Sequence, residues 1–146
     1  AVLEPLKAAS ELGFEIDLVP PTSGGWVDPR AVRRAVRPDT FLVSIMHVNN
    51  ETGIVQPISE IADIAHNNGS IILVDAYQSL GTTPLDVKEM NIDILTTGNL
   101  KYLFGIPGIA FIYVNKDLVP ELKPALKAVV VSQPNSGLPS LAISIP

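Results

Sequence analysis

Three apolar runs in this chain end in residues able to do chemistry. The run Thr40-Phe41-Leu42-Val43-Ser44-Ile45-Met46 gives way to His47-Val48-Asn49-Asn50-Glu51-Thr52-Gly53. Ile71-Ile72-Leu73-Val74 gives way to Asp75-Ala76-Tyr77-Gln78, and Ile92-Asp93-Ile94-Leu95-Thr96-Thr97 to Gly98-Asn99-Leu100-Lys101. One lysine, one carboxylate and several amides are thus expected on one rim. An amine of this kind can condense with a carbonyl carbon. A carboxylate can keep a heteroaromatic nitrogen protonated, so that the ring withdraws electrons. Asp75 could take the ring nitrogen, Lys101 the aldehyde carbon, and Gln78 and Asn50 the polar ring edge of pyridoxal phosphate (PLP). Plainer readings stand beside this one. A strand-end aspartate commonly caps the next turn, a single lysine is commonly a solvated charge, and Asn-rich loops are commonly turns. His47 reads as a satisfied structural histidine, and His66 as a partner of a helix C-terminus. The two histidines lack metal-ligand spacing, so no metal is assigned. From the residues alone, a PLP site is one option among several.

Such a rim needs elements that bring three loops together. Leu3, Leu6, Ala9 and Leu12 recur at helical spacing, with Gly13 to stop the helix. Phe14, Ile16 and Leu18 alternate as in a short strand. Asp28-Pro29 is a helix start, with Ala31, Val32 and Val36 inward and Arg30, Arg33 and Arg34 outward. Pro57 opens a further helix through Ile58, Ile61, Ala62 and Ala65, closed by Asn67-Asn68-Gly69. The run 40–46 is expected to be buried on both faces, and Ile109 to Val114 to be a further strand. Asp117 to Ala128 reads as a last helix. Helices alternating with two-faced apolar strands predict an α/β fold with a mostly parallel sheet flanked by helices. In such sheets ligands bind beyond the carboxyl ends of the strands, where the polar runs lie.

The composition narrows the functions. The 146 residues are 47% hydrophobic and 17% charged, as expected of a folded core. No apolar run reaches the ~20 residues of a bilayer span. A net charge of −5 gives no electrostatic reason to bind nucleic acid or anionic membrane. There is no cysteine, so no disulfide or thiolate metal site forms. A reducing, cytoplasmic setting fits. The start carries no basic region, so no signal peptide is expected, and it lacks a Met, so the chain is expected to be cut from something longer or processed.

Taken in order, Met46-His47-Val48-Asn49-Asn50-Glu51-Thr52-Gly53, Gln56-Pro57-Ile58 and Val74-Asp75-Ala76-Tyr77-Gln78-Ser79-Leu80-Gly81 resemble the cysteine desulfurase branch of the class V aminotransferases. In that family an Asp-Ala-x-Gln motif follows an Asn-Asn-Glu-x-Gly loop, and a lysine in a Lys-x-x-x-Gly context comes later. Lys101 with Gly105 fits that place, and Gly108 to Val114 resembles the strand that follows. Each motif alone is weak; the ordered series is specific, and it covers roughly Ala1 to Leu126. The resemblance implies the PLP-binding large domain of a fold type I enzyme, spanning residues 1–128, followed by an irregular tail, 129–146. It implies PLP as cofactor, an amino acid as substrate, and a homodimeric parent. It makes Lys101 the Schiff-base and proton-shuttling lysine, and Asp75 the partner of the pyridine nitrogen. Ala76 would pack on the ring face, Gln78 would contact the ring hydroxyl, and Asn50 would lie near that hydroxyl and the substrate carboxylate.

One departure stands at the lysine. Desulfurases commonly show Ser-Gly-His-Lys, where this chain has Gly98-Asn99-Leu100-Lys101. The hydroxyl and imidazole that help hold the phosphate are missing from their usual places, with Thr97 or Asn99 as candidate replacements. That favours a less specialised class V relative. A non-enzymatic alternative, a scaffold or interaction fragment unable to hold PLP alone, remains open. A nucleotide-binding domain ranks below both, because no Gly-x-Gly-x-x-Gly or Walker A sequence follows any strand.

Overall fold

The computed structural model describes residues 3–122. The expected tail 129–146, and the part of the last helix beyond residue 122, lie outside them. Helix α1 spans Leu3–Glu11, and Gly13 follows at φ +94°, a left-handed conformation that favours glycine. Helix α2 spans Pro29–Ala35. The Asp28 carboxylate accepts the Arg30 N–H at 2.9 Å, and Pro29 opens the helix with its φ already fixed.

The sheet has four strands in the order β1 (Leu42–Met46), β2 (Ile71–Asp75), β3 (Ile94–Gly98) and β4 (Ala110–Val114). The first three run parallel, with Met46 opposite Asp75 and Asp75 opposite Thr96. β4 returns antiparallel to β3, with Gly98 opposite Ala110. The mostly parallel expectation holds, and an antiparallel edge strand is added to it. Helix α3 (Ile58–Asn67) connects β1 to β2 and packs across both, as a crossover between parallel strands must. Its inner face of Ile58, Ile61, Ala62, Ile64 and Ala65 meets Ile72, Val74 and Leu95 in one core. Each large aliphatic side chain buried there contributes about 1.5–3 kcal/mol.

Three expectations need correction. Residues 14–18 form no strand; the segment is extended without a ladder partner among the described residues, and Phe14 and Leu18 are exposed. It is held by charge instead: Arg37 reaches Glu15 at 2.7 Å and Asp17 at 2.6 Å. β1 is not buried on both faces. It is an edge strand whose Val43 and Ile45 pack inward while Leu42 and Met46 face out, because α3 covers one face only among the described residues. From residue 117 the chain forms a turn and then a 3-10 helix, Val119–Glu121, rather than an α-helix. Pro120 disfavours the α conformation at the residue before it.

A half-buried polar tie holds the far end of the sheet. Asp93 Oδ2 accepts the Ile72 N–H at 2.9 Å and lies 2.7 Å from His66 Nε2, while Asn91 Nδ2 lies 2.9 Å from His66 Nδ1. The end of α3, the start of β2 and the approach to β3 meet at this one carboxylate. His66, expected to serve a helix end, is therefore a partner of Asp93 as well.

Candidate active site

The parallel pairing brings the ends of β1, β2 and β3 to one edge. The His47 N–H donates to the Asp75 carbonyl at 2.8 Å, and the Ala76 N–H donates to the Thr96 carbonyl at 2.9 Å. Each polar run therefore begins beside the next. Asp75 is half-buried, and its Oδ1 accepts the Tyr77 N–H at 2.9 Å. That bond is the cap the plainer reading foresaw, and it uses one carboxylate oxygen. Oδ2 makes no hydrogen bond among the described residues, so an acceptor stays available. Gln78 is half-buried in the turn that follows. Asn50 is exposed in a loop shaped by its neighbour: Asn49 Oδ1 accepts from the Glu51 N–H at 3.0 Å and from the Thr52 N–H at 2.9 Å.

Lys101 stands three residues past β3 and is exposed. Its loop doubles back on itself. The Gly105 N–H donates to the Asn99 carbonyl at 2.8 Å, and a Cβ on Gly105 would stand 2.5 Å from the Asn99 Cβ. The glycine four residues after the lysine is thus required by close approach, not by chain direction. Phe104 takes φ +52°, a left-handed conformation unusual for a bulky residue, and is 91% exposed. The segment around Lys101 is strained and apolar.

Ala76 was expected on a ring face. It is fully buried among the core residues, so it supports the rim from beneath, and the side chain that reaches the rim from the next position is Tyr77. The Tyr77 ring lies across Gly98 so closely that a Cβ there would stand 2.3 Å from Cε2, 3.0 Å from Cδ2 and 3.4 Å from Cζ. Thr97, a candidate replacement for the absent serine hydroxyl, is buried, and its hydroxyl turns inward toward the Ala76 carbonyl at 3.4 Å and the Gly98 carbonyl at 3.3 Å. Tyr77 drew no notice in the sequence. The signal was present as a bulky aromatic in one motif and, twenty-one positions on, a glycine with no positive φ to explain it.

His47 is 2% exposed, and its Nδ1 has no hydrogen-bond partner among the described residues. The structural histidine is therefore only half satisfied, through its backbone. Burial pushes its pKa below the ordinary value. It lines a cavity of about 300 Å³ with Gln56, Ser59, Glu60, Thr83 and Met90, and neither Lys101 nor Asp75 reaches that space. Among the described residues no cluster of His, Cys, Asp and Glu could hold a metal ion, and no helix is long and apolar enough to cross a membrane.

Known proteins resemble this chain in sequence and fold. The family model described as Aminotransferase class-V matches residues 1–132. The cysteine desulfurase IscS of Anaeromyxobacter dehalogenans is 44% identical over 116 residues, covering 80% of this chain and 28% of the relative. The uncharacterized aminotransferase YcbU of Bacillus subtilis is 50% identical over 90 residues, covering 62% of this chain and 24% of the relative. Among solved structures, SspA in complex with cysteine superposes with a TM-score of 0.80 at 36% identity, covering 86% of this chain and 36% of that one. The apo cysteine desulfurase of Thermococcus onnurineus superposes with a TM-score of 0.79 at 27% identity, covering 86% and 31%. The chain thus spans between a quarter and a third of the curated relatives it matches over 80% of its own length, 28% for the first. With matched residues running through all three strand ends, the chain belongs to the class V aminotransferase family.

Proposed function

We propose that this chain carries part of the active site of a PLP-dependent enzyme acting on an amino acid, with Lys101 as the covalent cofactor lysine. The observation that carries the reading is the shared rim: Lys101 follows β3, and Asp75 ends the adjacent parallel β2 with one carboxylate oxygen unengaged. The donor set suits the cofactor. Lys101 forms no ion pair among the described residues, so its amine is open to an aldehyde carbon. Asp75 Oδ2 can accept from a protonated pyridine nitrogen, and its charge keeps that proton in place. Gln78 and Asn50 offer amide groups to the ring hydroxyl and the substrate carboxylate. Ala76, closed into the core, holds β2 against β3 so that Asp75 and Tyr77 keep their places.

PLP when bound supplies an aldehyde that takes up amines and a ring that accepts electrons from the carbon next to the nitrogen. The chain's own contribution is to fix the ring and to move a proton. The Lys101 amine would hold the cofactor's aldehyde carbon and, when free of it, would serve as the base beside the substrate α-carbon. The reaction classes that fit are transamination, sulfur abstraction and β-elimination. The cysteine held by SspA supports an amino-acid substrate. The missing serine and histidine before Lys101 favour a member less specialised than the desulfurases.

A homodimer and a cytoplasmic setting belong to the same reading. Leu100 (49% exposed), Phe104 (91%), Ile106 (70%) and Ile109 (48%) form an apolar stretch beside Lys101, which suits cover by a second subunit. That stretch also supports the rival reading, a scaffold piece that holds no PLP by itself. The two separate by borohydride reduction of the protein mixed with PLP, followed by peptide mass mapping. A stable pyridoxyl group chiefly on Lys101, lost in Lys101→Ala, is expected. Labelling spread over the other lysines would leave the scaffold reading standing. Lys101→Ala should leave stability within about 0.5 kcal/mol of the parent, because the side chain is exposed.

A further inference from the structure

We infer that Tyr77 is a ligand-binding residue of this site, and that its phenolic hydroxyl donates a hydrogen bond to the phosphate monoester of the cofactor. The inference rests on the PLP reading above and deepens it. Gly98 does not take a positive φ, so no backbone conformation calls for glycine there. What calls for it is the Tyr77 ring, whose Cδ2–Cε2 edge fills the space of the missing side chain at 2.3 Å (Cε2) and 3.0 Å (Cδ2), with Cζ at 3.4 Å. Even an alanine would collide, and a serine would collide more. The tyrosine reaches from the end of β2 over the end of β3, and its hydroxyl lies one bond beyond Cζ.

The hydroxyls nearby divide into two kinds. Thr97 Oγ1 is buried and turned toward the Ala76 and Gly98 carbonyls at 3.4 and 3.3 Å. Tyr77 is half-buried as a residue, and its hydroxyl bonds to nothing among the described residues. A phosphate dianion needs donors and must stay away from carboxylates. The length of the phenol carries its donor from the Asp75 side of the rim to the strand that leads to Lys101. A phenol is a good donor to an anion, because a charge-assisted bond is stronger than a neutral one. The rigid ring also brings it there at low entropic cost, having only two side-chain torsions.

The test uses the full protein and two probes, PLP and pyridoxal, the same ring without phosphate. Affinities are read from absorbance titrations, with thermal unfolding of the cofactor-free form as a control. Tyr77→Phe keeps the ring over Gly98 and removes only the hydroxyl. It should weaken PLP about tenfold to a hundredfold, the range for one hydrogen bond to a charged group. Pyridoxal affinity and the melting temperature should stay as in the parent. Gly98→Ser should also weaken PLP, because it displaces the ring. Combining it with Tyr77→Ala removes the collision and supplies a hydroxyl from β3, so the double variant should bind PLP more tightly than either single one. Equal PLP affinity in Tyr77→Phe and parent would overturn the Tyr77 assignment alone. Equal losses for PLP and pyridoxal would overturn the phosphate contact. A parent that takes neither probe would overturn the cofactor reading and this inference with it.

Discussion

Two stretches of this chain are almost equally apolar and end up in opposite places. In the layer formed by β1, α3 and β2, Ile61, Ala62, Ile72 and Val74 are each 0% exposed. In the Lys101 loop, Leu103, Phe104, Ile106 and Ile109 are 39%, 91%, 70% and 48% exposed. Hydrophobicity does not separate them; periodicity does. Residues 58–65 place their apolar side chains on one helical face, which α3 lays on the alternating inward positions of β2. Residues 102–109 contain two glycines and a proline, so no regular element gathers their side chains to one side. The first stretch is a core in itself. The second is a surface whose burial needs something else, and it adjoins the proposed cofactor lysine.

Removing methylenes from each stretch tests this contrast most strongly. Ile61→Ala leaves a cavity under the sheet and should cost about 2–5 kcal/mol. Ile106→Ala, at 70% exposure, should cost less than about 0.5 kcal/mol in a dilute, unassociated chain. Urea unfolding of both variants gives the comparison. Should Ile106→Ala cost as much as Ile61→Ala, the loop is packed against something under those conditions. If that cost then grew with protein concentration, the cover would be a second copy.

The sequence revealed the core more readily than the rim, for a physical reason. Strands β1 to β4, the Asp28 cap and the α3 face follow from local patterns of apolar and turn residues, and the structure keeps them. The direction of β4 did not follow, because alternation along a strand is the same read from either end. The one-sided burial of β1 depends on which layers exist, and a run such as 40–46 carries no record of its neighbours. The segment 14–18 alternates like a strand but finds no partner edge. At the rim, the motifs placed Asp75, Gln78, Asn50 and Lys101 at strand ends, where the fold puts them. The Tyr77 ring over Gly98 joins two motifs through space, so neither motif discloses it alone. The orphaned His47 nitrogen is likewise a property of what surrounds the ring, not of the sequence beside it.

A smaller effect is expected where the core meets its polar tie. Asp93→Ala leaves the Ile72 N–H and His66 Nε2 without their shared acceptor at the start of β2. The Ile72 N–H that loses its acceptor costs about 1–3 kcal/mol, while the His66 side chain, 28% exposed, can turn to water, so the loss should be centred below that of Ile61→Ala. Asp93→Asn keeps an acceptor oxygen and should recover part of it. The tie lies at the end of the sheet opposite Lys101, so the site of pyridoxyl labelling should not move in either variant. A shift of the label to other lysines would show that the tie positions the rim as well as the core.

The smallest effect belongs to His47, which lies between the two regions at the end of β1. Its imidazole is 2% exposed with Nδ1 unpartnered, and burial lowers its pKa from the ordinary value near 6.5. The unfolded chain therefore takes up a proton at a pH where the folded chain does not. Stability from the neutral ring is fully present above about pH 6.5 and falls as pH drops below it, toward the lower folded pKa. His47→Leu removes that proton uptake. It also replaces a buried, unsatisfied polar atom with carbon, so the variant should match the parent or exceed it slightly near pH 8. Urea midpoints at about pH 8 and about pH 5 should converge more in His47→Leu than in the parent. Glu60 lines the same cavity, so Glu60→Gln in the His47→Leu background separates the two groups. An unchanged acid loss in His47→Leu would mean that the imidazole finds a partner in solution, within the cavity it lines, and that this edge of the core belongs with the open rim rather than with the closed layer beneath it.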